Sequence, residues 1–240
     1  MKGVIVKQQS ISVEYIDHMG SDMRVCNMAR QSFGKWKDES LELDEKDLGL
    51  LEYLSTGVAK EDRGDYEKMY KASTHWAPFA HCILSIRVRV PVFIARQLVK
   101  HQIGLVWSEE SRRYISDEVG YWLPEVIHAV PEGSIKQGSG GVHPKDEALR
   151  AFMWANTETA IQNYYYLVRE KVAPEEARMA LPLNHMVNFS WTGSLLALLR
   201  VLKQRQDGHA QLAAQEFAGK LKPILEQYFP HASKAFTKYM

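Results

Sequence analysis

The sequence predicts an α+β fold, a mixed or antiparallel sheet flanked by long helices, in one domain spanning residues 1–240. Three observations predict it. Cys82 to Val90 alternates, with Cys82, Leu84, Ile86, Val88 and Val90 on one face and Ser85, Arg87 and Arg89 on the other, as a half-buried strand does. Lys145 to Lys171 carries Leu149, Phe152, Ala160, Tyr164, Leu167 and Val168 as a helical apolar stripe. No repeat or clean linker divides the chain, whose length suits one domain with insertions.

Taken in order, Val4–Val6 and Ile11–Ile16 are β-rich pieces expected to pair as a hairpin. Ser21 or Asp22 caps a helix reaching about Phe33, with Met23, Cys26, Met28 or Ala29 and Phe33 on one side. Residues 34–44 read as charged loop. Leu48, Leu50, Leu51, Tyr53 and Leu54 mark a helix ended by Gly57, and Ala59 to Lys71 is charge-dense, solvated surface. Pro78 breaks regular structure inside the loop framed by His75 and His81. After the strand, Pro91 to His101 reads as a short helix with proline at its first turn, where a missing N–H costs nothing. Gly104 ends that helix, and 108–113 follows as a polar loop. Beyond Tyr114 no period is clear, and Gly133, Gly138, Gly140 and Gly141 make 131–144 a glycine-rich loop or insertion. Ala173–Arg178 opens another helix with acids near its start, and Leu181-Pro-Leu183 breaks it. His185–Trp191 can be a strand. Leu195–Leu202, apolar almost all round, is a buried helix, and a last amphipathic helix carries Ala213, Phe217, Leu221, Ile224, Leu225 and Tyr228.

Composition narrows the partners. A net charge of +1 gives no whole-chain argument for nucleic acid or membrane, so any basic site must be local. The two cysteines, Cys26 and Cys82, form no C-x-x-C and no zinc spacing, which suits a reducing compartment. The first residues lack the apolar core of a signal peptide, and no run approaches a membrane span. A soluble cytoplasmic protein is expected.

The chemistry concentrates between Arg96 and Tyr114. Arg96, Lys100, Arg112 and Arg113 are cations there, Glu109 and Glu110 anions, and Gln97, His101, Gln102, Ser108 and Ser111 neutral hydrogen-bonding groups. Gln97 lies on one helix face with Lys100 or His101. Donors at a helix end feeding a loop suit a planar, anionic ligand such as a nucleotide. Two further polar clusters, His75–His81 and Arg205–Gln211, also follow or interrupt apolar elements, and Arg178 opens a fourth. Lys100, Arg113, Arg178 and Arg205 could hold phosphate, for which arginine offers two parallel donors. The plainer reading is that Arg205 and Asp207 pair and cap structure, and that exposed arginines are surface. The histidines have no recognised metal spacing, so no metal is expected. No dinucleotide or phosphate-loop glycine motif occurs, and no G-x-S-x-G surrounds Ser111. Cys26 and Cys82 read as core residues and not as nucleophiles.

In order, the chain shows His75-x-x-Pro78-Phe79-x-His81, a strand, Arg96-Gln97, a central His101, and Glu109-x-Ser111-x-Arg113-Tyr114. Then come Ala177-Arg178-x-x-Leu181-Pro182-Leu183, Trp191-Thr192 and Arg205-x-Asp207-x-His209-Ala210-Gln211. From about residue 11 to 230 this resembles the flavin-dependent thymidylate synthases. The order of the motifs is specific where each alone is weak. The chain departs from that pattern in having Lys100-His101-Gln102 for Arg-His-Arg, eight residues instead of seven before Ser111, Ser194-Leu195-Leu196 after Trp-Thr, and Arg200 where an asparagine is usual.

The resemblance implies that family's fold, a homotetramer with shared active sites, and a mechanism without an enzyme nucleophile. FAD reduced by NADPH serves as hydride source, 5,10-methylenetetrahydrofolate as carbon donor and dUMP as acceptor, giving dTMP. Arg205 is the implied catalytic residue, stabilising the ionised uracil. The implied dUMP site comprises Gln97, Leu98, Val99, Lys100, Glu109, Glu110, Ser111, Arg112, Arg113, Arg178 and Arg205. His75, Ala77, Lys100, His101, Gln102, Glu109, Ser194 and Arg200 are the implied FAD contacts. The competing expectations are a nucleotide-binding or regulatory homologue that has lost flavin chemistry, suggested by Lys100 and Gln102, and a histidine-based metal hydrolase.

Overall fold

The computed structural model describes residues 6–115, 118–133 and 138–238. Its main sheet has four antiparallel strands in the order β2-β3-β6-β4, where β2 is Ser12–Met19, β3 Ile83–Pro91, β4 Leu105–Glu109 and β6 Met186–Ser194. β3 is the alternating strand the sequence predicts, ending one residue later. Leu84, Ile86, Val88 and Val90 oppose Gly193, Trp191, Phe189 and Val187 of β6, and both rows are buried. Each large side chain so covered contributes about 1.5–3 kcal/mol. On the other face Arg87 and Ser190 are exposed, and Ser85 and Thr192 share a 2.8 Å hydrogen bond between hydroxyls.

The helices cover the buried face. Ser21 caps α1 (Asp22–Arg30), its hydroxyl accepting from the Arg24 N–H at 3.1 Å. A capping box between Asp44 and Asp47 starts α2 (Glu45–Thr56), and Gly57, at φ 73°, ends it in the left-handed conformation that glycine adopts freely. α3 (Tyr66–Lys71) crosses the charge-dense stretch, and α4 (Val92–Leu98) follows β3 directly. α5 (Asp146–Arg169) and α6 (Pro174–Ala177) pack with Val119, Tyr121 and Leu123 in a smaller apolar cluster. α7 (Leu195–Arg205), buried along most of its length, and α8 (Leu212–Tyr228) join the main core with α9 (Pro230–Thr237), which packs on α2. Among the described residues no helix is long and apolar enough to cross a membrane.

Five expectations need correction. Among the described residues no N-terminal hairpin forms: β1 (Lys7–Gln8) runs parallel to β5 (Gly120–Tyr121), and β2 pairs with β3. These partners are distant in sequence, and Val4 and Ile5 lie outside the described residues. Pro91 is the last residue of β3 and the cap of α4, which stops at Leu98, short of His101. Ser108 and Glu109 belong to edge strand β4 and not to a loop. One side of that strand faces solvent, with Val106 72% exposed, which hides its alternation among charged neighbours. The stripe on α5 docks only in its second half, through Thr157, Ile161 and Tyr164, and Phe152 is 67% exposed. A separate helix, α9, follows α8 because Pro230 sits at its first position. In the glycine-rich stretch, His128 and Val142 form a β-bridge, and residues 134–137 lie outside the described part.

Candidate active site

The structure holds two clusters of polar side chains. The first gathers where α4, α7 and α8 meet. Arg205, the last residue of α7, donates to His101 Nε2 from Nε at 3.1 Å and from Nη2 at 2.8 Å. His101 Nε2 therefore acts as an acceptor, which requires a neutral ring with its proton on Nδ1. Burial first, and the Arg205 charge second, hold the His101 pKa below the usual histidine value. Burial also lowers Arg205. Beside this pair the Gln97 amide donates to Gln211 Oε1, joining α4 to the start of α8. Asp207 does not pair with Arg205: its Oδ1 accepts from the backbone N–H of His209 at 2.8 Å and meets His209 Nδ1 at 3.0 Å. The cation of Arg205 is thus left to the site.

Gly104 fixes the turn from His101 into β4. Its φ is 74°, and a Cβ there would lie 3.0 Å from Ser194 Oγ. The Ser194 N–H donates to Gly104 O at 2.9 Å, and the Ser194 hydroxyl caps α7 by accepting from Ala197 N at 3.3 Å.

The second cluster lines a cavity of about 350 Å³ formed by Val92, Glu109, Glu110, Ser111, Arg112, Arg178, Leu181, His185 and Val187. Glu110 is clamped to β6, its two oxygens accepting from Asn188 N at 3.1 Å and Asn188 Nδ2 at 2.7 Å. Glu109 accepts from the Trp107 indole at 3.1 Å. Burial chiefly raises its pKa, the Trp107 bond opposing and the Glu110 charge adding to the rise. Ser111 Oγ accepts from Arg113 N at 3.3 Å, while the Arg113 guanidinium lies 3.5 Å from Glu175 and over the Tyr114 ring.

A third hollow, about 620 Å³, is lined by Phe33, Leu50, Tyr53, His75, Trp76 and Ala77 among others. His75 packs on Tyr53 with ring centroids 5.0 Å apart, and its N–H donates to Leu54 O.

Each residue expected in a site can now be placed. Gln97, His101 and Arg205 come together. Glu109, Glu110, Ser111, Arg112 and Arg178 come together elsewhere, with Arg113 turned toward α6. None of Gln97, His101 and Arg205 lines the cavity of the second group. Leu98 is wholly buried in the core and Val99 half-buried, so Leu98 offers a ligand its backbone only. Lys100, Gln102 and Arg200 are exposed. His75 and Ala77 line the third hollow, and the Ser194 hydroxyl is occupied with its cap.

The family model described as thymidylate synthase complementing protein, Thy1, matches residues 14–231. The chain belongs to the Thy1 family. A flavin-dependent thymidylate synthase from Thermotoga neapolitana is 31% identical over 233 residues, covering 95% of this chain and 91% of the relative. One from Thermosipho africanus is 29% identical, covering 93% and 90%. Among solved structures, PolB from Streptomyces cacaoi, a UMP/dUMP methylase solved with 5-Br dUMP, superimposes with a TM-score of 0.78 at 24% identity, covering 98% of this chain and 97% of that one. The α+β fold is therefore shared with a Thy1-like structure.

Membership gives the two clusters their context, and the structure adds residues the sequence reading passed over. Asn188 and Trp107 hold Glu110 and Glu109, and His185 lines the second cavity. Asn188 stands between the buried Val187 and Phe189 on β6, the one signal that could have marked it. Trp107 stacks on Phe189 with ring centroids 3.4 Å apart.

Proposed function

We propose that this Thy1-family chain is a flavin-dependent thymidylate synthase, methylating dUMP to dTMP with 5,10-methylenetetrahydrofolate as carbon donor and NADPH-reduced FAD as hydride source. The observation that carries the reading is the pair of clusters in a chain whose relatives bear that name: Arg205, with no carboxylate partner among the described residues, and a cavity with Ser111, Arg112 and Arg178.

The second cavity suits the nucleotide's phosphate, because arginine donors and a hydroxyl line it and Glu110 is held against Asn188. Arg205 suits the uracil, where its charge favours the ionised ring. Each pKa unit of that preference is worth about 1.4 kcal/mol. Gln97, held by Gln211, and the backbone of Leu98, Val99 and Lys100 would fix the base beside it. Since Gln97, His101 and Arg205 do not line the cavity that holds Ser111, Arg112 and Arg178, subunits of a homotetramer would complete one site from two chains.

The residues fit a flavin. Phe33, Tyr53 and Trp76 give the third hollow aromatic walls that match a planar ring system. His75, Ala77, Lys100, His101, Gln102, Glu109, Ser194 and Arg200 would hold FAD. When bound, the flavin supplies the hydride that completes the methyl group. Cys26 and Cys82 take no part: both are wholly buried, and burial pushes both thiols up to about 12. A cytoplasmic enzyme is proposed.

Purified protein should carry the visible absorbance of oxidised flavin and release tritium from C5-labelled dUMP when folate and NADPH are supplied. Colourless protein that takes up no added FAD would sink the reading. Binding of dUMP without NADPH oxidation would leave the regulatory homologue.

A further inference from the structure

His185 stands immediately before β6, and its place is fixed from several sides. Its Nδ1 lies 2.6 Å from the Pro182 carbonyl oxygen, its backbone N–H donates to the same oxygen at 3.0 Å, and its own carbonyl accepts from Val92 N at 3.0 Å. A carbonyl only accepts, so Nδ1 carries the proton and Nε2 is the ring's remaining polar atom. No described residue bonds Nε2, and the ring lines the cavity that holds Arg112 and Arg178.

The charges around that cavity nearly cancel. Arg178 enters from the turn after α6, Arg112 and Glu110 from the segment after β4, and Glu109 from β4 itself. The two carboxylates offset part of the attraction that the two guanidiniums offer a dianion. Among the described lining residues His185 is the sole imidazole, the group that gains charge in the neutral range.

We propose that His185 is a phosphate-binding residue of the nucleotide site, Nε2 taking up a proton from solvent as a dianionic 5′-phosphate settles beside Arg112 and Arg178. This rests on the reading that the cavity holds the phosphate of dUMP. In the free site burial chiefly keeps the ring below its ordinary pKa, with the Pro182 bond opposing, Arg112 lowering it further and Glu110 opposing. The ring is then neutral at neutral pH. A bound dianion raises its pKa, so affinity is gained below the bound-state pKa and lost as pH rises through it. For one proton the slope reaches at most about tenfold in Kd per pH unit. Selecting the phosphate dianion, whose second pKa is about 6, releases protons and has the opposite sign.

The test is calorimetry of dUMP binding to the FAD-loaded protein, in buffers of different ionisation enthalpy near pH 7 and across about pH 6.5–8.5. Wild type should take up close to one proton with dUMP and almost none with deoxyuridine, and its Kd should weaken several-fold toward the alkaline end. His185→Asn, whose amide can still donate to Pro182 O, should lose the uptake and flatten the profile. Uptake unchanged in His185→Asn, or dUMP binding by wild type without uptake, would overturn the inference alone. Failure of wild type to bind dUMP would overturn the reading beneath it as well. The wild-type comparison of the two ligands needs no variant, so it decides even where a substitution unfolds the chain.

Discussion

Arg205 and His101, 104 residues apart in sequence, are joined by two hydrogen bonds that both end on His101 Nε2. The histidine, neutral and half-buried, orients a guanidinium without cancelling its charge, as a carboxylate would. Donors held this way in a shielded site need little rearrangement when charge develops on a ligand. Arg205→Ala should therefore lower dTMP formation by about two to three orders of magnitude. FAD should still bind, as the flavin absorbance of the variant would show. Turnover near the wild-type rate would remove Arg205 from its assigned role.

Ser111 bears on binding more than on chemistry. Its hydroxyl lines the second cavity and accepts from Arg113 N, and among the described residues no hydrogen bond links it to His185 or to a carboxylate. Loss of a hydrogen bond to phosphate should cost about 1 kcal/mol, roughly fivefold in dUMP affinity. Titration of Ser111→Ala with dUMP, beside its kcat, checks this. Abolished turnover with dUMP affinity intact would instead point to a nucleophilic serine.

Gly104 couples the first cluster to the sheet. Any side chain there meets both a left-handed backbone and the Ser194 hydroxyl that caps α7. Gly104→Ala should destabilise the chain by about 1–2 kcal/mol. It should also loosen His101 against Arg205, because the turn that places the ring is the one disturbed. Thermal melting gives the first effect, and the histidine's proton resonances give the second. An alanine variant with unchanged melting would show the turn to be tolerant.

Local chemistry was legible where the reason for it was local. Ser21 and Gly57 bound helices because capping needs only a few neighbouring residues, and Leu84 to Val90 alternates because one face of β3 is buried. Partner choice was not legible: nothing within Lys7–Gln8 points to Gly120–Tyr121. β4 was hidden because an edge strand with one wet face resembles a polar loop. Arg205, Ser111 and Arg178 stood out in the sequence as chemistry beside apolar elements. Asp207 misled because its true partner, His209, is two residues away while Arg205 reaches across the fold to His101. His185 gave no signal, since the cavity it lines is assembled from Val92, Glu109 to Arg112, Arg178, Leu181 and Val187, which are far apart in sequence.

Asp47 is the carboxylate on which the first third of the chain depends. Its side chain is wholly buried, yet it meets Lys37 Nζ at 2.9 and 3.0 Å, the Arg30 guanidinium, and the Asp44 N–H at 2.9 Å. Burial alone would raise its pKa. The Asp44 N–H, Lys37 and Arg30 together outweigh burial and hold it below the ordinary value of 3.8. An acid depressed on folding contributes stability that is complete above its unfolded pKa and is lost as pH falls through the folded one. Asp47→Asn keeps the size but leaves two cations facing a neutral amide, which should cost about 3 kcal/mol at neutral pH. For a chain of this length that is a fall in Tm of roughly 6–12 °C. The gap between variant and wild type should then narrow as pH drops below about 3.8, because protonation removes the same charge from the native protein. Melting curves of both proteins across that range decide it. A gap that stays constant into acid would show that packing at Asp47, and not its charge, holds α1 to α2.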